Sequence, residues 1–240
     1  MEKDCQEFVK KFSDRFRLTL KKSPVLGLII TILVVAFLQI FAIETIQRKS
    51  ILAVILWFYN NYKIFFLNCF LTFLLNLFFI GFLGTLRKAV FFSTIFLTII
   101  SLANLVKMQL LGEPLFPWDF VRLDQVFNLL PKYFTEISTI LLFLLLITLG
   151  LFFIIKFLLP RYKAKLLSRI VMLVFILAIV PLLIFYRHTP LETAFRNADI
   201  EHVFWLPSEN SIQNGLLLGF VMGIENILVI KPDNYNKEEI

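Results

Sequence analysis

Two carboxylates, Glu113 and Asp119, stand six positions apart in the stretch 107–133, KMQLLGEPLFPWDFVRLDQVFNLLPKY. Paired carboxylates are the side chains that run general acid–base chemistry, but both have a plainer use here. Glu113 precedes Pro114, and a residue before proline is driven to extended backbone. Asp119 follows Pro117, which suits a first helical turn, so the acid sits at that helix's positive end. The only two histidines, His188 and His202, each lie near one acid, Glu192 and Glu201. Neither pair has the spacing of a metal motif on one helix face. No glycine-rich phosphate loop, nucleophile elbow or Cys/His set is visible. Cys5 lies among charged residues and Cys69 within an apolar run, so the two cysteines make no disulfide framework. The expectation is a chain with no catalytic, cofactor-binding or metal-ligating residue of its own.

The elements that would position these groups are apolar. Of 240 residues 59% are hydrophobic and 29 are Phe, above the roughly half expected of a soluble domain. The formal charge is +7, yet the basic residues sit at the ends of apolar runs rather than on one folded face. That distribution argues against nucleic acid as a partner and for membrane topology.

Residues 1–22 read as a basic amphipathic helix, with Phe8, Phe12 and Phe16 on one face and lysines and arginines on the rest. Such a helix suits an anionic leaflet. Five spans are predicted within a 23–187 membrane domain: 24–43, 64–86, 89–106, about 137–159 and 170–186. Each approaches the twenty or so residues that cross a hydrocarbon layer. Residues 51–59 are too short to cross and are expected to lie flat at the outer surface. The basic residues of 1–22, Arg87-Lys88 and the loop 156–169 fall on one side of a five-span chain. By the positive-inside rule that side is the cytoplasm, which places the C-terminus outside a multi-pass cell-membrane protein.

The stretch after the third span then lies outside. Phe120, Leu123, Phe127 and Leu130 recur at helical spacing, so residues 117–130 read as an interfacial amphipathic helix, with Trp118 at headgroup depth. The tail 188–240 is mostly acidic. Its segment 214–220, NGLLLGF, is too short to span and too apolar to hang in water. It is expected to pack on the membrane or on the 117–130 helix. The expected docking or lipid-headgroup platform comprises Glu113, Trp118, Asp119, Arg122, Trp205, Asn214, Gly215 and Phe220. Its sharpest form has Glu113, Asp119, Phe120, Leu123 and Phe127 against the tail from Trp205 to Phe220.

The order of these pieces resembles the N-terminal membrane domain of lipoteichoic acid synthase-type phosphoglycerol transferases, of the alkaline phosphatase superfamily. The residues that carry the resemblance are Glu113, Pro114, Pro117 and Asp119 in the outer loop, Asn214, Gly215 and Phe220 in the tail, and Lys231, Pro232 and Tyr235 near the end. Leu111 departs from the pattern, standing where a basic residue is expected. The resemblance implies an all-α membrane unit, with 188–240 a linker toward an extracytoplasmic sulfatase-like catalytic domain. That domain lies beyond Ile240 or on another chain. In it a threonine nucleophile and a divalent metal such as manganese or magnesium would transfer glycerol phosphate.

Three functions follow as expectations. The first is the membrane-anchoring and substrate- or domain-positioning part of such a transferase, not catalytic by itself, with the bilayer, an anionic phospholipid and the catalytic domain as partners. The second is a non-catalytic scaffold or regulator of a cell-envelope enzyme. The third, a small transporter, would need mid-span charge; the spans carry Gln39, Asn68, Asn76 and Asn104 but no ionised residue there.

Overall fold

A computed structural model describes residues 24–122, 150, 159, 162–200 and 206–224. The predicted amphipathic helix of 1–22, the fourth span at 137–159 apart from Gly150 and Leu159, Leu123, Phe127, Trp205 and the exit after 224 lie outside the described residues. Among the described residues the chain is helical, with no strand beyond one isolated bridge.

Four helices are long and apolar enough to cross a membrane. They are α1 (Pro24–Arg48), α3 (Tyr62–Leu83), α4 (Leu86–Leu111) and α5 (Leu166–Ile184). Between α1 and α3 lies α2 (Ile51–Asn60), held at its start by Ser50, whose hydroxyl accepts from the Ala53 amide. At its end the Asn61 side chain donates to the Trp57 carbonyl. Ten residues rise only about 15 Å, so α2 does not match a bilayer's thickness. Beyond α5 come a short 3-10 turn (Tyr186–His188), α6 (Leu191–Asn197), α7 (Pro207–Asn214) and α8 (Leu216–Ile224).

Three of the four long helices, α1, α4 and α5, are longer than the sequence suggests, while α3 ends three residues earlier. Glu44 reads as a boundary to the first span, yet α1 continues to Arg48 because the two side chains pair one turn apart, Arg48 Nε to Glu44 Oε2 at 3.2 Å. The α3–α4 turn rests on Gly84 at φ 73°, where its amide donates to the Ile80 carbonyl and no side chain opposes the left-handed backbone. Gly112 ends α4 in the same way at φ 71°.

Helices α1, α3 and α4 pack on one another, and α5 packs on α3. A buried polar cluster clamps the first three. Gln39 donates to Ser93 (3.1 Å) and Thr94 (2.8 Å), and Asn76 donates to Gln39 (2.7 Å). Ser93 in turn donates to Asn76 Oδ1 at 2.7 Å. With every member partnered, the cluster fixes helix register in a setting where apolar side chains favour no particular neighbour. Gly81 allows close approach of α5, since a methyl there would meet Leu173 Cγ at 2.8 Å.

The bundle has two unlike ends. At one, Arg48, Tyr62 and Leu111 gather with the polar tail. At the other lie the α3–α4 turn and residues 162–165, where Leu86 N donates to Tyr162 O and Ala164 N to Gly84 O. We call these the hairpin end and the basic end.

Candidate functional site

At the hairpin end α7 and α8 form a helical hairpin broken at Gly215. Two helix ends therefore meet there, and each leaves backbone groups without intrahelical partners. The bundle supplies those partners. The last three carbonyls of α7 each accept one side-chain donor: Ile212 O from Arg48 Nη2 at 2.6 Å, Gln213 O from Trp57 Nε1 at 3.0 Å, and Asn214 O from Asn68 Nδ2 at 2.8 Å. Two amides of the first turn of α8 donate the other way, Leu216 N to Glu44 Oε1 and Leu218 N to Asn68 Oδ1, both at 3.0 Å. Asn68 thus serves both helices, and Glu44 places a carboxylate at the positive end of α8.

The socket is closed and charge-balanced. Glu44 is 2% exposed and Asn68 fully buried. Arg48 answers the carboxylate and also lies over the Trp57 ring, 4.3 Å from its centroid. Gly215 sits at the bottom at φ 76° and ψ 168°. A Cβ there would come within 2.9 Å of Glu44 Oε1, 3.1 Å of Trp57 Cη2 and 3.2 Å of Asn68 Nδ2. The five bonds all go to main-chain groups of the hairpin, and the close fit at 215 leaves no room for a side chain. Beneath it Leu216, Leu218 and Met222 join Ile40, Phe65 and Leu97 in one apolar core.

The loop that follows α4 is pinned beside the hairpin. Asn104 Oδ1 accepts the Leu115 amide at 2.6 Å, and Gln47 accepts from Asn104 at 2.7 Å. Asp119 Oδ2 accepts both the Phe116 amide (2.6 Å) and Lys107 Nζ (2.7 Å). Lys107 also lies 4.5 Å from the Phe116 ring centroid, and Phe116 stacks on Trp118 at 4.2 Å. Residues 117–122 form a 3-10 turn rather than α-helix. Asp119 folds back to cap that turn, which ties the backbone tightly.

The described platform residues do not form one site. Asn214 and Gly215 enter the socket. Phe220 meets Phe120 edge-on at 6.0 Å, and Gly223 approaches Pro117, so the 3-10 turn touches α8. Asp119 and Trp118 belong to the loop's own network, and Glu113 is exposed. Trp205 and the side chain of Arg122 lie outside the described residues. Sequence reasoning missed Glu44, Arg48 and Trp57, and saw Asn68 only as one of the uncharged polar residues within the spans. The Glu–Arg spacing of four on α1 was the available signal.

Among the described residues no group of three or more His, Cys, Asp or Glu side chains gathers to hold a metal. What the geometry defines is an α-helical bundle with four helices able to cross a membrane and a broken-helix hairpin keyed into one end. No family model, no curated protein and no solved structure matches the chain.

Proposed function

We propose that the chain is the membrane-anchoring and domain- or substrate-positioning part of a lipoteichoic acid synthase-like phosphoglycerol transferase, and that it does no chemistry itself. One observation carries the reading. The hairpin is bonded to the bundle through five main-chain groups, so whatever follows Ile224 leaves the membrane domain from a fixed point. A flexible tether would need none of this. The order of the GEPLFPWDF and NGLLLGF segments supports the family, and the pinning of both at one end supports a shared outer face.

Five crossings rather than four are supported by the ends of the flanking helices, because α4 finishes at the hairpin end while α5 begins at the basic end. With the basic end in the cytoplasm, the hairpin and everything after it are extracytoplasmic. In the family's chemistry a divalent metal and a threonine nucleophile act in a separate catalytic domain, and this chain would hold that domain over lipid headgroups.

The test is reconstitution. The full chain is co-expressed with a soluble phosphoglycerol transferase domain, and polymer formation and co-purification are measured. Both should rise over the soluble domain alone. Absence of both sinks the transferase reading and leaves the second, a non-catalytic scaffold for another envelope enzyme.

A further inference from the structure

Among the described residues the basic end holds five cations from two separated parts of the chain, and the structure divides them by use. Arg87 donates Nε and Nη2 to the Leu159 carbonyl at 2.9 and 2.6 Å. Arg169 donates to the Gly81 and Phe82 carbonyls at 2.8 and 2.7 Å, which closes the C-terminus of α3. Both arginines are thus engaged with backbone. Lys88, Lys163 and Lys165 are exposed and have no hydrogen bond or ion pair among the described residues.

The three lysines share one surface because the chain is tied there. Residues Thr85 and Lys163 form an antiparallel bridge, and the two backbone bonds of Tyr162 and Ala164 hold the same segment against the α3–α4 turn. The described acids, Glu44, Glu113, Asp119, Glu192, Asp199 and Glu209, belong to the hairpin end and its polar cap, so none opposes the lysines. Directly beside them Phe82, Leu166 and Leu167 are 67%, 69% and 74% exposed. A collar of cations above a bare apolar wall matches a lipid, with phosphate at the lysines and acyl chain along the wall, better than it matches a soluble anion.

We infer that Lys88, Lys163 and Lys165 form a binding surface for the phosphate-bearing headgroups of anionic phospholipids, in the leaflet at the basic end. The inference needs only that the four helices cross a bilayer, and it is independent of the transferase reading. Each lysine near such a surface contributes about fivefold to affinity for anionic lipid.

The purified full chain in zwitterionic detergent, mixed with phosphatidylglycerol and phosphatidylcholine, is read by native mass spectrometry. Wild type should retain phosphatidylglycerol preferentially. The triple variant K88Q/K163Q/K165Q should lose that preference by tenfold or more, K88R/K163R/K165R should keep it, and K49Q/K63Q, which removes two cations at the hairpin end, should leave it unchanged. Wild-type preference in the glutamine triple variant overturns the proposal. So does an equal loss in K49Q/K63Q, which would mean diffuse charge. Displacement of lipid by millimolar inorganic phosphate overturns it too, in favour of a free-anion site. If the glutamine triple variant does not fold, K163Q alone against K163R decides, with loss expected only in the first.

Discussion

Glu44 Oε1 accepts the Leu216 amide at 3.0 Å across 172 positions of sequence. This bond joins the first long apolar helix to the last described one and places a buried carboxylate where a helix start would otherwise lack an acceptor.

Glu44→Ala should therefore do two kinds of damage. It strips the cap from α8 and leaves Arg48 without its carboxylate in a largely buried place. Removing one partner of a buried pair costs about 3–5 kcal/mol. Glu44→Gln keeps an oxygen for the Leu216 amide and should cost less. Unfolding midpoints in detergent should fall in the order wild type, Gln, Ala; equal midpoints for all three would remove the socket from the stability argument.

Gly215→Ala tests shape rather than charge. Its backbone region is open essentially to glycine alone, at about 1–3 kcal/mol for other residues, and the new methyl would strike Glu44 and Trp57. The hairpin should leave its socket while the four long helices persist. Limited proteolysis should then cut around residues 206–215 much faster, with helical circular dichroism little changed. Unchanged cleavage would contradict the fit.

Gln39 and Asn76 should be energetically coupled. A double-mutant cycle with Gln39→Leu and Asn76→Leu should return about 0.6 kcal/mol, the average for hydrogen bonds between membrane helices, and no more than about 1.7 kcal/mol. A coupling of zero would mean that the 2.7 Å bond between them adds nothing to helix association.

Lys107→Met should loosen the loop after α4 without unfolding the bundle. Asp119 would keep the Phe116 amide but lose its ion pair, for about 1–2 kcal/mol. Trp118, stacked on Phe116, reports on the loop, and its fluorescence should become more accessible to aqueous quencher. Asp119→Ala should show a larger effect, because the amide bond goes too.

Much of this fold was legible locally. Apolar runs of span length predict helices because in hydrocarbon a backbone must satisfy itself. Their ends were less legible. Charges normally mark a helix leaving the bilayer, so Glu44 reads as a stop, but a charge paired one turn away and bonded to the tail need not stop anything. The helix at 117–130 was expected from the spacing of Phe120 and its successors. Its described first turn is 3-10 because Asp119 caps Phe116 and takes Lys107 at the same time.

The chain by itself determined which segments are apolar helices, where the glycine and proline breaks fall and where the cations collect, since these depend on composition and on neighbours a few residues away. Only the tertiary structure decided that Glu44, Arg48, Trp57 and Asn68 form one socket, and that Lys88 stands with Lys163 and Lys165. Those groupings depend on contacts between residues more than seventy positions apart or on neighbouring helices. A periodic pattern records which face of a helix is apolar, not which helix that face will meet. Glu44 and Leu216 carry no mark in the sequence that pairs them; helix packing brings the carboxylate to the amide.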